Sequence, residues 1–258
     1  MLWHLTSLDA PLVAGLWCRL LARRANVAVE PTTLGALVLA VWMLYVMDRL
    51  VDGARDRGAL EERHRFHRRH RRAFAIALCL AAPVQVWLVM QLSGALRLAW
   101  LALGVPLAVY FALIHATRVR LPKELAVALF FAAACAMPAA LRAGWEAVLQ
   151  PTAFFALLCW VNGVAIARWE NDARANASTR WGAEHLRPMC TGLVIAASAF
   201  FVYDDRALIA LACALAAAAF WLADTARHDL STLRLRVLAD AALLTPLAIL
   251  PWVTVLHR

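Results

Sequence analysis

Charged residues are scarce in this chain, and their scarcity excludes an ordinary soluble domain. Asp, Glu, Lys and Arg make up 17% of the 258 residues, whereas 64% are hydrophobic and the mean hydropathy is +0.67. A typical globular domain carries about 25% charged residues. Long polar linkers are also absent, so the sequence gives no boundary between two domains. We therefore expect a single transmembrane helical domain over residues 1–258.

Paired cysteines are absent as well. The six cysteines lie singly within apolar segments, and none belongs to a Cys-x-x-Cys pair. Zinc sites and disulfide frameworks need cysteines grouped at short, regular spacings. Buried free thiols behave as small apolar side chains, so we expect neither kind of site here.

The sequence has instead several long runs without Asp, Glu, Lys or Arg. A helix needs about 20 apolar residues to cross a bilayer. Residues 2–22 fit either a span or an interfacial helix. When they are counted as a span, we expect an all-α polytopic membrane helical bundle of about nine transmembrane helices. The other eight predicted spans are residues 31–47, 73–96, 98–117, 125–141, 147–167, 188–203, 207–223 and 241–256.

Basic residues are distributed unevenly between the predicted connections. The net charge is +9 and the isoelectric point is near 10.1. If the connection after Asp48 faces the cytoplasm, most of the 26 Lys and Arg residues lie on that side, which is the positive-inside pattern. Attraction to anionic lipid then accounts for the basic charge without nucleic acid. We expect an integral membrane protein of the bacterial inner (plasma) membrane, with its polar site facing the cytoplasm.

Three aspartates at four-residue spacing follow the first of these eight windows. On a helix, Asp48, Asp52 and Asp56 are rotated by only about 40° from one to the next, so their carboxylates share one face. Each could simply pair with a neighbouring arginine at the membrane surface. Carboxylates at a membrane boundary are costly to desolvate, however, and this favours a site for a cation or a charged substrate.

A second polar group stands near the end of the window at residues 147–167. Asn162 lies inside the apolar run, and Glu170 and Asp172 follow it. Asn162 and Glu170 are within about 80° of each other on a helix. A buried amide without a partner costs free energy, so Asn162 either makes a hydrogen bond between helices or contacts a substrate.

Three cations occupy the boundary between two later windows. Arg118, Arg120 and Lys123 are explained by membrane topology alone. Opposite an acidic face that holds a metal ion, the same cations would clamp phosphate oxygens. The histidines at residues 64–70 are a weaker metal candidate, because the arginines among them would repel a cation.

This order of motifs resembles the UbiA superfamily of intramembrane prenyltransferases. Members of that family are helical with nine spans, and they carry aspartate-rich motifs after the second and sixth spans. Their first motif usually reads N-D-x-x-D-x-x-x-D. The matching stretch from Asp48 to Asp56 reads D-R-L-V-D-G-A-R-D, with Arg49 in the second position. The stretch R-L-P-K-E-L at residues 120–125 adds to the resemblance.

The resemblance implies Mg²⁺-dependent transfer of a prenyl group from a prenyl diphosphate to an aromatic or other lipophilic acceptor. The acids would hold Mg²⁺ through hard oxygen ligands, and the cations would neutralise the leaving diphosphate. The residues that it assigns to catalysis and metal binding are Asp48, Asp52, Asp56, Glu170 and Asp172. The residues that it assigns to substrate binding are Arg49, Arg118, Arg120, Lys123 and Asn162.

Two alternatives to an active prenyltransferase stay open. A bundle of the same fold that has lost catalysis would act as a lipid-binding, partner-binding or transport component. Arg49 separates this hypothesis from the first, because a cation beside the acids weakens Mg²⁺ binding unless it contacts the diphosphate itself. A His-ligated membrane metalloenzyme is disfavoured, because the eight histidines supply only one cluster.

Overall fold

The computed structural model describes residues 6–55, 66, 69–116, 122–171, 175–203 and 208–248. Within these ranges all regular structure is α-helical, as the sequence predicts. The helices are, in chain order, α1 (Asp9–Arg24), α2 (Pro31–Arg55), α3 (Arg71–Gln91), α4 (Gly94–Ala116), α5 (Lys123–Ala143), α6 (Trp145–Trp169), α7 (Ala177–Glu184), α8 (Leu186–Tyr203), α9 (Leu208–Thr225) and α10 (Thr232–Ala242).

Six of these helices are long and apolar enough to cross a membrane. Helix α8 contributes a shorter apolar stretch, Leu186–Phe200. The prediction of an integral membrane protein built from apolar helices is therefore confirmed. The six long stretches are Pro31–Val51, Arg71–Gln91, Gly94–Leu113, Lys123–Ala143, Trp145–Trp169 and Leu208–Thr225.

Helix α1 is enclosed by the bundle. Its Trp17 ring stacks on Phe155 of α6 with ring centroids 4.1 Å apart, and Trp17 Nε1 donates to the backbone oxygen of Leu243. Gly15 permits a close approach to α2, because a Cβ at this position would lie 3.2 Å from Cγ2 of Val38. Trp17 belongs to the main hydrophobic core.

The end of the described chain differs from the prediction. We expected a polar connection before a span at residues 241–256, but part of this connection is helical, because α10 begins where Ser231 Oγ accepts a hydrogen bond from the backbone N–H of Arg234. Residues 249–256 of the expected span lie outside the described residues. The arginines of α10 make it polar overall, so its charge hid an amphipathic helix. The residues that form its buried face at helical spacing are Leu235, Ala239 and Ala242.

Helix α6 is the centre of the hydrophobic core. It packs against α5 and α9 and also contacts α1, α7, α8 and α10. Phe155, Leu158, Val161 and Val164 are completely buried at steps of three residues, and Phe220 of α9 is completely buried in the same cluster. Because α6 contacts helices on several sides, side chains at its end are positioned by most of the bundle.

Helices α3 and α4 form a thinner flank. Of the α3 residues, all of which the structure describes, none is buried. α3 packs on α2, and α4 packs on α5. Their outward side chains are large and apolar, including Leu80 at 68% and Leu98 at 69% exposed. An apolar surface of this kind is stable against lipid tails and would be an aggregation site in water.

Antiparallel packing collects charged residues at one end of the bundle, here called the polar end. The ends of α2, α6 and α9 meet the starts of α1, α5, α8 and α10 there. The ion pairs that mark this end are Asp48 with Lys123, Glu170 with Arg236, and Asp224 with Arg168. At the opposite end, Arg142 after the apolar part of α5 pairs with Glu30 before α2.

Candidate functional site

The first predicted motif and the basic boundary before α5 meet at the polar end. Oδ1 of Asp48, near the end of α2, lies 3.7 Å from Nζ of Lys123, the first residue of α5. The Asp48 side chain is 29% exposed and that of Lys123 is 43% exposed. Lys123 is also the single lysine of the chain. Oδ1 of Asp48 itself is buried, but both side chains are partly exposed, and an ion pair of this kind is weak enough to be exchanged for a charged ligand.

The rest of the first motif is described only in part. The backbone at Asp52 continues helix α2, which puts its Cα one turn beyond that of Asp48. The Asp52 side chain and the whole of Asp56 lie outside the described residues, as do Arg118 and Arg120. Their roles stay predictions.

Arg49 is directed toward α1. The Arg49 side chain is 5% exposed, Nη1 donates to Ser7 Oγ at 2.6 Å, and Nη2 lies 4.0 Å from Oδ2 of Asp9. Asp48 and Arg49 are neighbours in sequence, but on a helix successive side chains are about 100° apart. The charge of Arg49 is therefore balanced by Asp9, and the sequence-based objection to a cation beside the acids is weakened.

Glu124, the neighbour of Lys123, is held by the start of α7 and packs against α6. Oε2 of Glu124 accepts hydrogen bonds from Asn176 Nδ2 at 2.8 Å and from Thr179 Oγ1. A Cβ on Gly163 of α6 would lie 3.1 Å from Cβ of Glu124, so a larger residue would press on it. Glu124 thereby anchors the start of α5, and with it Lys123. Our sequence analysis gave Glu124 no role, since its partners are 52 and 55 residues away.

The second predicted motif has a different set of partners. Oε1 of Glu170 lies 2.7 Å from Nη2 of Arg236 in α10, and both side chains are mostly buried. Asn162 is half-buried in α6, and its Oδ1 has no hydrogen-bond partner among the described residues. Asp172 lies outside the described residues. The ion pairs of Asp48 and Glu170 thus run to different helices, α5 and α10.

A fourth polar group, which the sequence analysis missed, surrounds Asp224 near the end of α9. This side chain is completely buried, and its two oxygens accept hydrogen bonds at 2.8 to 3.2 Å. The donors are Arg168, Trp169, Arg187 and Arg227, and together with Asp224 they are called the Asp224 cluster below. The sequence did contain a signal for this cluster. Asp224 ends an apolar run, and Arg227 follows it three residues later.

The donor chemistry of the polar end suits a divalent cation only in part. Carboxylates such as Asp48 are the oxygen ligands that Mg²⁺ prefers. Among the described residues, no three His, Cys, Asp or Glu side chains lie close enough together to hold one metal ion. Three of the five predicted ligands, Asp52, Asp56 and Asp172, have no described side chain, so the Mg²⁺ prediction is untested.

Comparisons with protein-family models, with curated proteins and with solved structures found no match to this chain. The geometry of its own residues therefore carries the functional argument.

Proposed function

We propose that this protein is a nine-span, UbiA-like membrane prenyltransferase that binds a prenyl diphosphate at Asp48 and Lys123. In this proposal the predicted spans at residues 2–22, 188–203 and 241–256 cross the membrane together with the six long apolar helices. The polar end faces the cytoplasm of a bacterial inner membrane, in agreement with the positive-inside pattern. The observation that carries the proposal is the 3.7 Å contact between Asp48 and Lys123, because it joins the acidic face and the basic boundary through two partly exposed side chains.

The chemistry follows from the charges of these residues. Lys123 Nζ would donate to a diphosphate oxygen and neutralise charge as the allylic C–O bond breaks, with its electron pair remaining on the diphosphate. The acceptor would form the new bond to the allylic carbon and lose a proton. Mg²⁺, when bound by Asp48, Asp52 and Asp56, would supply further charge neutralisation at the diphosphate. Asn162 would contribute its unpartnered amide oxygen to the acceptor side.

The apolar flank supports a lipid substrate. Helices α3 and α4 expose large apolar side chains and pack on α2 and α5, the helices that carry Asp48 and Lys123. A prenyl chain could reach the site from the bilayer along this flank while its diphosphate stays at the membrane surface. The bundle would then shield an allylic cation from water.

Chemical modification of Lys123 tests this proposal directly. An amine-reactive reagent will modify Lys123 and the α-amino group, and peptide mapping separates the two because the chain has no second lysine. Geranyl or farnesyl diphosphate with Mg²⁺ should slow modification of Lys123, whereas farnesol should not. Protection that farnesol reproduces, or no protection by any prenyl diphosphate, would contradict the proposed site.

Catalysis needs a second measurement. Purified protein in detergent is incubated with radiolabelled prenyl diphosphate, Mg²⁺ and a panel of lipophilic acceptors, and diphosphate release is followed. The conservative variants Asp48→Asn, Asp52→Asn and Asp56→Asn should lower release by at least about tenfold if the acids bind metal. Release at the wild-type rate in all three variants would remove these acids from the mechanism.

One observation favours the non-catalytic alternative. Glu170, an assigned ligand of the second motif, is held at 2.7 Å by Arg236. A bundle whose second motif is occupied by an internal ion pair would bind a prenyl lipid or a partner without releasing diphosphate. Protection of Lys123 in the absence of any turnover would select this alternative.

A further inference from the structure

The Asp224 cluster holds more positive charge than its own acid can balance. Three guanidiniums, from Arg168, Arg187 and Arg227, converge on the single carboxylate of Asp224. Arg180 and Glu184 of α7 stand near the Arg168 side and cancel each other in charge. The group therefore keeps an excess of about two positive charges at pH 7, when all carboxylates and guanidiniums are ionised.

The arginines are held in fixed positions by the buried acid. Arg168 Nε donates to Oδ1 and Arg187 Nε to Oδ2, while Arg227 Nη1 lies 3.1 Å from both oxygens. Arg187 Nη2 also donates to the Asp224 backbone oxygen, and Arg168 Nη1 to that of Ala183. Each guanidinium has five N–H groups, so donors are left over for an external acceptor. Anchored guanidiniums lose little entropy when they bind an anion.

The exposure of the cluster is one-sided. Asp224 is fully buried, whereas the side chains of Arg168, Arg187 and Arg227 are 25%, 47% and 28% exposed. An open cavity of about 260 Å³ adjoins Arg168 and is also lined by Asn171, Thr179 and Arg180. The rest of its lining is Glu184 and three alanines, and the space is large enough for a phosphate group.

Aromatic side chains indicate the depth of the cluster in the membrane. Trp221 lies three residues before Asp224 on α9, or about 4.5 Å along the helix axis, and it is exposed, as is Leu222. Trp181 on α7 is exposed as well. Exposed tryptophan is typical of the headgroup level of a bilayer. With Trp181 and Trp221 at that level, the arginines would face lipid phosphates.

We propose that the Asp224 cluster is a binding site for the phosphate diester of an anionic phospholipid headgroup. Basic pockets between membrane helices on the cytoplasmic side are suited to such headgroups. The site joins α6, α8 and α9, whereas the Asp48 and Lys123 site joins α2 and α5. It is therefore independent of the proposed prenyl transfer, and either proposal can fail without the other.

Lipid titration of the full-length protein tests this site. Phosphatidylglycerol, phosphatidylcholine or inorganic phosphate is added to delipidated protein in a neutral detergent, and bound lipid is counted by native mass spectrometry. Phosphatidylglycerol should bind at least about tenfold more tightly than phosphatidylcholine, because only phosphatidylglycerol carries a net negative charge that the arginines attract. Inorganic phosphate that displaces phosphatidylglycerol at equal concentration would overturn the assignment to a lipid.

Two variants separate this site from general attraction to a basic protein. Arg187→Gln removes the most exposed cation of the cluster and should weaken phosphatidylglycerol binding about tenfold, whereas Arg187→Lys should recover part of the loss. Arg142→Gln is the matched control, since Arg142 is also half-exposed and paired with one acid, but at the opposite end. Equal losses in Arg187→Gln and Arg142→Gln, in protein whose unfolding midpoint is retained, would overturn the proposal.

Discussion

Two aspartates at the same end of this bundle have opposite environments. Asp224 is fully buried and accepts hydrogen bonds from three arginines and Trp169. Asp48 is 29% exposed, and its ion pair with Lys123 is longer than a hydrogen bond. A carboxylate whose oxygens are surrounded by internal donors stabilises the fold, whereas a partly exposed one in a long ion pair contributes little to it. The same residue type is thus structural on α9, and on α2 it is the residue that we propose for ligand binding.

The neighbours of the two acids differ in the same way. The guanidiniums around Asp224 come from three segments, and the surplus charge they leave is directed outward. Lys123, by contrast, is held through the next residue in the chain, because Glu124 accepts hydrogen bonds from Asn176 and Thr179. Rigid support beneath an exposed cation is what a preorganised anion site requires. We expect substitutions of Asp224 to change mainly the free energy of unfolding, and substitutions of Lys123 to change mainly ligand binding.

The largest effect is expected for Asp224→Ala. Removing the acid leaves three partly buried arginines without their shared acceptor, which should lower the free energy of unfolding by about 3 kcal/mol. Unfolding in mixed micelles with increasing dodecyl sulfate measures this quantity. Asp48→Ala is the matched control and should cost less than about 1 kcal/mol, as exposed ion pairs do. Equal losses in the two variants would remove the distinction between the two acids.

Arg49→Gln is expected to have the next largest effect. Its guanidinium is buried against Ser7 and Asp9, so the variant leaves Asp9 without this partner and should cost about 2 kcal/mol. Because Arg49 is directed away from Lys123, protection of Lys123 by prenyl diphosphate should be retained. A loss of protection without a loss of stability would make Arg49 a substrate contact, as the UbiA resemblance implies.

Two glycines allow the polar end to be disturbed from two positions. A Cβ at Gly182 would lie 2.9 Å from Cγ2 of Val164, whereas one at Gly163 would meet Glu124. Overpacking of this kind costs about 1 to 2 kcal/mol. Gly163→Ala presses on Glu124 and should weaken mainly the protection of Lys123. Gly182→Ala should shift α7, which bonds to both Glu124 and Arg168, and should weaken both protection of Lys123 and phosphatidylglycerol binding. If Gly163→Ala instead weakens mainly phosphatidylglycerol binding, as measured by native mass spectrometry and peptide mapping, the assignment of the two sites is wrong.

The helical fold followed from the sequence because apolar windows are a property of local composition. The windows at residues 31–47, 125–141 and 147–167 each lie within a described helix, and residues 208–223 of the window at 207–223 lie within α9. The polar partners did not follow, because Asp224 bonds to Arg168 across 56 residues and Glu124 to Asn176 across 52. Such pairings depend on which helices become neighbours, and one chain's local pattern does not contain that information. The contact between Asp48 and Lys123 was predicted only as one of two alternatives, in which the basic residues before α5 lie opposite the acidic face.

The smallest change in stability is expected for substitutions of Lys123. Its side chain is 43% exposed and its ion pair with Asp48 is 3.7 Å long, so Lys123→Arg and Lys123→Gln should both alter the free energy of unfolding by less than about 0.5 kcal/mol. Their effects on ligand binding should differ, because arginine keeps the positive charge and glutamine removes it. With no lysine left to modify, binding is measured by equilibrium dialysis of radiolabelled farnesyl diphosphate. Lys123→Arg should stay within about threefold of the wild type and Lys123→Gln should fall at least about tenfold, the effect of one charge-assisted hydrogen bond. If both variants bind as the wild type does, Lys123 is only the ion-pair partner of Asp48. The proposed difference between a structural Asp224 and a ligand-binding Asp48 site is then wrong.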